Sequence, residues 1–180
     1  MSKSYKTLLT ETHGKHILLV TINRPKVANA FNTQMAKELI DLFEDLTLNP
    51  KLVRAIVLTG AGERAFCAGG DLKERNGMAD KAWQTQHLVY ERMVRVIIGC
   101  PIPLIGAING AAFGGGCELV AAMDFTYVSE TAKFAQTEVT LGIIPGAGGT
   151  QTFARAVGER RAKELILTGR VFDAQEACEW

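Results

Sequence analysis

The sequence predicts an α/β fold, and three observations carry that prediction. Short apolar runs of strand length alternate with longer stretches of helical period, glycine clusters follow the apolar runs, and prolines fall between the periodic stretches. The run Leu104 to Ile108 is apolar throughout, as expected of a parallel-sheet strand buried on both faces. At 180 residues the chain is long enough for one domain, with a single core spanning 1–180.

The elements follow in order. Tyr5 to Thr12 and Ile17 to Ile22 are β-rich runs separated by His13-Gly14-Lys15, a hairpin signal. Asn23-Arg24-Pro25 ends the second, because proline has no N–H to give a ladder. Thr33 to Leu48 places Met35, Leu39, Leu42, Phe43 and Leu46 on one stripe, capped near Asn32 or Thr33 and stopped at Asn49-Pro50. Ala55 to Leu58 is a strand that runs into Thr59-Gly-Ala-Gly62. A second glycine piece, Phe66-Cys-Ala-Gly-Gly-Asp-Leu72, follows at once.

Asp80 to Gly99 reads as an amphipathic helix with Trp83, His87, Tyr90 and Val94 on one side, closed by Pro101 and Pro103. After the strand 104–108, Asn109-Gly110 turns and three glycines open an apolar helix carrying Glu118. Phe125 to Ser129 and Lys133 to Ala135 are further extended pieces, and Glu138 begins a turn or short helix. The cluster Ile143-Ile-Pro-Gly-Ala-Gly-Gly-Thr150 leads to Phe153–Val157 and a helix from Glu159 to Leu167.

Asp173-Ala-Gln-Glu176 is a capping box announcing a helix of barely two turns, too short to be worth starting alone. The chain is therefore expected to be a core domain cut inside a longer protein. Leu58-Thr-Gly-Ala before Phe66 and Ile108-Asn-Gly-Ala before Phe113 form a faint internal echo.

Composition excludes several functions. With 20 basic and 19 acidic side chains the net charge is +1, which gives no electrostatic argument for nucleic acid or an anionic membrane. Cys67, Cys100, Cys117 and Cys178 show no C-x-x-C and no histidine at ligand spacing, so reduced thiols are expected and no metal. No apolar run approaches bilayer length, and Met1-Ser-Lys-Ser-Tyr-Lys leads into strand residues rather than a signal segment. The expectation is a soluble, cytoplasmic protein.

The glycine clusters narrow the chemistry. None supplies G-x-x-x-x-G-K-[ST], and Gly60-Ala-Gly62-Glu-Arg-Ala65 is followed by Phe66-Cys-Ala-Gly-Gly instead of the helix a dinucleotide fingerprint needs. No serine sits on a G-x-S-x-G elbow, and His13, His16 and His87 lie far from the clusters in sequence, as structural histidines would. Carboxylates beside backbone donors remain. Glu118 and Glu138 adjoin loops expected at the C-terminal edge of the sheet, where α/β folds bind ligands. Each is either an acid/base or a carboxylate stabilising a helix start by up to about 1 kcal/mol, and the residues alone leave both open.

Phe66-Cys-Ala-Gly-Gly-Asp-Leu-Lys73, Ile108-Asn-Gly-Ala-Ala-Phe-Gly-Gly-Gly-Cys-Glu118, Phe134-Ala-Gln-Thr-Glu138 and Leu141-Gly-Ile-Ile-Pro-Gly-Ala-Gly-Gly-Thr-Gln151 resemble the successive motifs of the enoyl-CoA hydratase (crotonase) family. The resemblance runs from about Val20 to the last residue. It implies a crotonase-like (ClpP/crotonase) spiral of β-β-α units without the family's C-terminal helical trimerisation region. It implies hydration of a 2-enoyl-CoA thioester to a 3-hydroxyacyl-CoA, with the N–H groups of Ala68 and Gly115 as an oxyanion hole. Glu118 would hold the water and Glu138 would supply the α-proton.

The segment Asn23-Arg24-Pro25-Lys26 and residues Ala28, Ala68, Gly69, Gly70, Asp71, Leu72, Lys73 and Gly146 match substrate-binding positions, with Lys26 and Lys73 as partners for phosphates. No cofactor is implied beyond the coenzyme A of the substrate. The resemblance further implies an acyl-CoA partner, no nucleic acid, no membrane, and a homotrimer or hexamer for the full-length protein. Family members that only shift a double bond commonly manage with the acid at the Glu138 position, so both acids here favour hydration. The nearest alternatives are a Δ3,Δ2-enoyl-CoA isomerase and a branched-chain hydratase of the 3-methylglutaconyl-CoA kind, to which Leu72-Lys-Glu-Arg75 is similar. The alternatives outside enzymes are an inactive core and an RNA-binding module.

Overall fold

Residues 3–180 are described by the computed structural model; the Met1-Ser2 start of the expected leader into the first strand lies outside the described residues. Strands Leu8–His13 (β1) and Ile17–Ile22 (β2) form the expected hairpin, with Leu8 opposite Ile22. The first strand begins later than its composition suggests. Residues 6 and 7 give their N–H groups to the buried Glu38 carboxylate, at 2.7 and 2.9 Å, instead of to a ladder. Helix α1 (Thr33–Leu48) brings Glu38 there, and Asn32 caps it by accepting from the Met35 N–H at 3.0 Å.

Strand β3 (Ala55–Gly60) lies parallel to β2, strand β4 (Ala65–Cys67) follows, and a short helix α2 (Leu72–Arg75) precedes the long helix α3 (Asp80–Ile98). The next turn of chain repeats the plan with β5 (Leu104–Ile108), β6 (Ala111–Phe113) and α4 (Gly115–Ala121). It is repeated again by β7 (Phe125–Val128), β8 (Lys133–Ala135), a 3-10 turn at Glu138–Leu141, α5 (Thr152–Val157) and α6 (Glu159–Thr168). Strand β9 (Phe172–Asp173) and α7 (Ala174–Glu179) finish the described chain. Asp173 and Glu176 close the capping box: Glu176 N–H donates to Asp173 Oδ1 at 3.0 Å and Asp173 N–H to Glu176 Oε2 at 3.2 Å.

Two sheets result, ordered β1-β2-β3-β5-β7 and β4-β6-β8-β9. Each spiral turn lays one strand in the first sheet, crosses to a short strand in the second, and returns through helix. The echo between Leu58-Thr-Gly-Ala and Ile108-Asn-Gly-Ala marks the crossings β3 to β4 and β5 to β6. Of the second sheet, hydrophobic pattern marks only the extended piece 133–135, and the second strand of each turn is implied by the family resemblance alone. Three-residue strands are too short to show a period, and β4 and β6 hide inside the glycine motifs.

Between the first sheet and the helices, Val20, Ile22, Ile56 and Leu58 are fully buried with Met35, Leu39, Phe43 and Met93. Side chains of this size each contribute about 1.5–3 kcal/mol when removed from water, which fixes α1 and α3 on the sheet. Among the described residues no helix is long and apolar enough to cross a membrane.

Candidate active site

Two loops that leave the first sheet meet at the second. The added Cβ of an alanine at Gly116 would fall 2.0 Å from the Cys67 carbonyl oxygen, and one at Gly69 would fall 3.2 Å from the Gly115 nitrogen. Such approaches are possible only because Gly116 and Gly69 carry no Cβ, so the 67–70 loop and the start of α4 touch main chain to main chain.

The 67–70 loop is also fastened on its other side. Ala68 N–H donates to Ala28 O at 3.0 Å, Phe31 N–H to Gly69 O at 2.8 Å, and Asp71 N–H to Phe31 O at 2.9 Å. Ala28 and Asn29 both have positive φ, 52° and 55°, a strained conformation for residues with side chains. The Asn29 side chain holds it, donating to the carbonyls of Ala61 and Ala65 at 3.0 and 2.8 Å.

This seam corrects one expectation. Ala68 cannot offer its N–H to an oxyanion, because Ala28 already takes it, and Ala68 is exposed outside the main cavity. The amide two residues on is the available one. In a trans peptide the C=O and N–H point opposite ways, so the bond from Phe31 to Gly69 O directs the Gly70 N–H away from the seam. Gly70 N–H has no acceptor among the described residues, and Gly70 lines the cavity. Gly115 lies there too, in the first turn of α4, where an N–H lacks an intrahelical partner.

Both glutamates line the same cavity, of about 620 Å³. Glu118, 2% exposed, accepts at Oε1 from the N–H groups of Ala147 and Gly149, at 2.8 and 2.7 Å. Burial pushes its pKa up; the Gly149 and Ala147 bonds oppose this, the Glu138 charge adds to it, and the result is about 7. Glu138, at the head of the 3-10 turn, is also raised by burial, and its Oε2 has no partner among the described residues. The side chain of Gln136, fully buried beside this turn, is likewise without one.

A carboxyl group with a raised pKa makes folding depend on pH. Unfolded, Glu118 would lose its proton near 4.5; folded, it keeps it to about 7. Its contribution is present below pH 4.5 and is lost as pH rises through 7, a difference on the order of 3 kcal/mol. Glu118→Gln keeps both amide bonds without the charge. The variant is expected to have a higher Tm than the parent at pH 8, with the gap closing toward pH 5. A gap of equal size at both values would contradict the burial of that charge.

The far wall comes from α3 and the 143–147 segment. Trp83 and His87 stack with ring centroids 5.3 Å apart, and His87 pairs with Glu91 at 3.3 Å. Gly146 lies close enough that a Cβ there would fall 2.7 Å from the His87 ring. The sequence marks His87 as structural, Tyr90 as one of the α3 stripe and Arg75 only within Leu72-Lys-Glu-Arg75, and gives no sign of Phe31 in the cavity. The stripe Trp83, His87, Tyr90, Val94 was legible, but Trp83, His87 and Tyr90 line the cavity while Val94 belongs to the core alone.

Of the expected binding positions, Gly70 and Gly146 line this cavity, and Gly69 and Asp71 are buried in its supporting loop. Lys26, Leu72 and Lys73 are exposed and Ala28 half-buried, on the two strips of chain that meet at the seam. Among the described residues no group of His, Cys, Asp and Glu is arranged to hold a metal ion.

Fold and cavity define a class: a spiral of β-β-α turns whose loops bring two buried acids and two unengaged main-chain amides to one cavity. Comparison with known proteins agrees. The chain belongs to the enoyl-CoA hydratase/isomerase family, matching it over residues 12–180. It is 45% identical to a probable enoyl-CoA hydratase of Rhizobium meliloti, over 97% of this chain and 66% of that protein. It is 41% identical to the short-chain-enoyl-CoA hydratase of Clostridium acetobutylicum, over 94% of this chain and 64% of that protein.

Among solved structures, the enoyl-CoA hydratase of Bacillus anthracis superposes with a TM-score of 0.93 at 42% identity, covering 97% of this chain and 67% of that one. The chain thus spans about two thirds of the length of its curated relatives.

Proposed function

We propose that the protein hydrates 2-enoyl-CoA thioesters, with Glu118 and Glu138 as the acid/base pair and the N–H groups of Gly70 and Gly115 as the oxyanion hole. The supporting observation is the convergence of these four groups on one cavity, each acid with an oxygen or an amide neighbour fixed by the fold. Attack of water at the β-carbon drives negative charge onto the thioester oxygen. Two fixed donors there lower the barrier by several kcal/mol, about 2.7–4 for each by analogy with single-donor deletions.

The acids divide the remaining work. Glu118 has Oε1 occupied by two amides, which orients Oε2 toward a water it can deprotonate. Glu138 keeps an unpartnered, buried Oε2, costly to ionise, and so is suited to carry the proton that ends on the α-carbon. The two titrate as a pair, with the singly protonated state active. The protein is expected to consume crotonyl-CoA, followed by loss of the conjugated thioester's ultraviolet absorbance. No decay with folded protein would set the reading aside.

A second reading is favoured by one observation. The Arg75 guanidinium lines the cavity 5.1 Å from the Tyr90 ring centroid and 5.8 Å from that of Trp83, and makes no ion pair among the described residues. Such a cation suits an acyl end bearing a carboxylate, as in the branched-chain alternative. Relative kcat/KM for crotonyl-CoA and a carboxylate-ended 2-enoyl-CoA separates the two. The full-length protein is expected to be a homotrimer or hexamer, which light scattering on the eluted species measures directly.

A further inference from the structure

We infer that Arg24, through Asp71, is a positioning residue for the Gly70 amide: it locks the seam that aims this donor, without itself touching substrate. The inference rests on the hydratase reading for what the amide does, and on the following contacts for how it is held.

Arg24 Nη2 meets Asp71 Oδ2 at 2.9 Å, and Arg24 Nη1 donates to Ala30 O at 2.5 Å. The guanidinium therefore bridges the two strips of chain at the seam. One strip is residues 24–31, where the Arg24 N–H also donates to Asn29 Oδ1 at 2.9 Å and the Asn29 N–H returns to Arg24 O at 3.0 Å. The other is 68–71. Both side chains are largely buried, 20% and 11% exposed, so the pair is much less screened than a surface ion pair.

Asp71 is committed on every side. Its Oδ1 accepts from the N–H groups of Lys73 and Glu74 at 3.0 and 3.4 Å, and its own N–H donates to Phe31 O. Burial would raise its pKa; the Arg24 pair and the helix amides outweigh this and hold it below the usual carboxylate range.

Between the Phe31 bond to Gly69 O and the Asp71 N–H bond to Phe31 O only Gly70 turns, and Gly69 just before it holds a φ of +89° that glycine adopts without strain. Without an outside constraint these glycines would let the Gly70 N–H swing. The strain at Ala28 and Asn29 also needs an anchor, and Arg24 is bonded to both ends of that turn. A donor misplaced by a fraction of an ångström loses much of its effect on a developing oxyanion, because its advantage lies in being fixed beforehand.

The test uses Arg24→Met and Arg24→Lys in the full-chain protein. Turnover of crotonyl-CoA is expected to fall at least tenfold in kcat for Arg24→Met with KM changed by less than threefold, and to recover in part for Arg24→Lys. Carbonyl polarisation is read independently from the absorption band of bound 4-(dimethylamino)cinnamoyl-CoA, a push–pull enoyl thioester. The unaltered protein is expected to move the band to longer wavelength, and Arg24→Met to lose at least half of that shift at saturating protein.

An unchanged kcat and band in folded Arg24→Met overturns the inference. So does an effect confined to KM, which would make Arg24 a direct contact for coenzyme A. If Arg24→Met does not fold, Arg24→Lys decides: the single nitrogen of a shorter side chain cannot take the places of both Nη2 at Asp71 and Nη1 at Ala30, so full kcat and a full band shift refute the clamp. Absence of hydration in the parent, with a band shift that Arg24→Met abolishes, would remove the hydratase reading and leave the clamp standing.

Discussion

Glu118→Gln and Glu138→Gln are each expected to lower kcat for crotonyl-CoA by at least two orders of magnitude, with modest change in KM. Neither substitution alters the shape of the cavity, and each removes one of the two proton-transfer groups, whose typical contribution is 10²–10⁴-fold. An effect carried by kcat is what loss of a group acting only in the transition state produces. The parent's kcat should be bell-shaped in pH with one limb near 7, where Glu118 titrates, and the other set by Glu138, which burial raises above its ordinary value. Each variant should lose one limb of that peak. Undiminished turnover in either one defeats the assignment of that acid.

Gly116→Ala is expected to cost about 3 kcal/mol, the upper part of the usual range for overpacking. Its Cβ would lie 2.0 Å from Cys67 O and 3.1 Å from Cys67 Cβ, and the obstacle is backbone in the fully buried strand β4 rather than a side chain free to turn. Relief requires the two loops to separate. Thermal melting should show a fall of several degrees, and the folded fraction should turn over substrate with a kcat reduced at least tenfold, because separation also parts the Gly70 and Gly115 amides. A variant with parental Tm and kcat would mean that the loop contact does not organise the site.

Much of this was legible beforehand. The stripe of α1, the strands at Ile17, Ala55 and Leu104, and the capping box at Asp173 all announced themselves through period and cap chemistry. Glu118 and Glu138 were marked by their place beside glycine loops. Three of the four strands of the second sheet, β4, β6 and β9, were hidden because they are two or three residues long. The choice between Ala68 and Gly70 was hidden for a different reason. Which amide of the 68–70 loop is free depends on the bonds from Ala68 N–H to Ala28 O and from Phe31 N–H to Gly69 O, contacts between residues about 40 positions apart that no local pattern carries. His87 was hidden likewise, since only the approach of Gly146 tells which half of the α3 stripe borders a cavity.

The arrangement of donors can be observed directly in a crystal structure of the protein with a non-reactive acyl-CoA thioester bound. The account predicts the thioester oxygen about 3 Å from both Gly70 N and Gly115 N, with the carboxyl group of Glu118 facing the β-carbon and that of Glu138 the α-carbon. An oxygen bonded to Ala68 N, or to neither glycine, would contradict it.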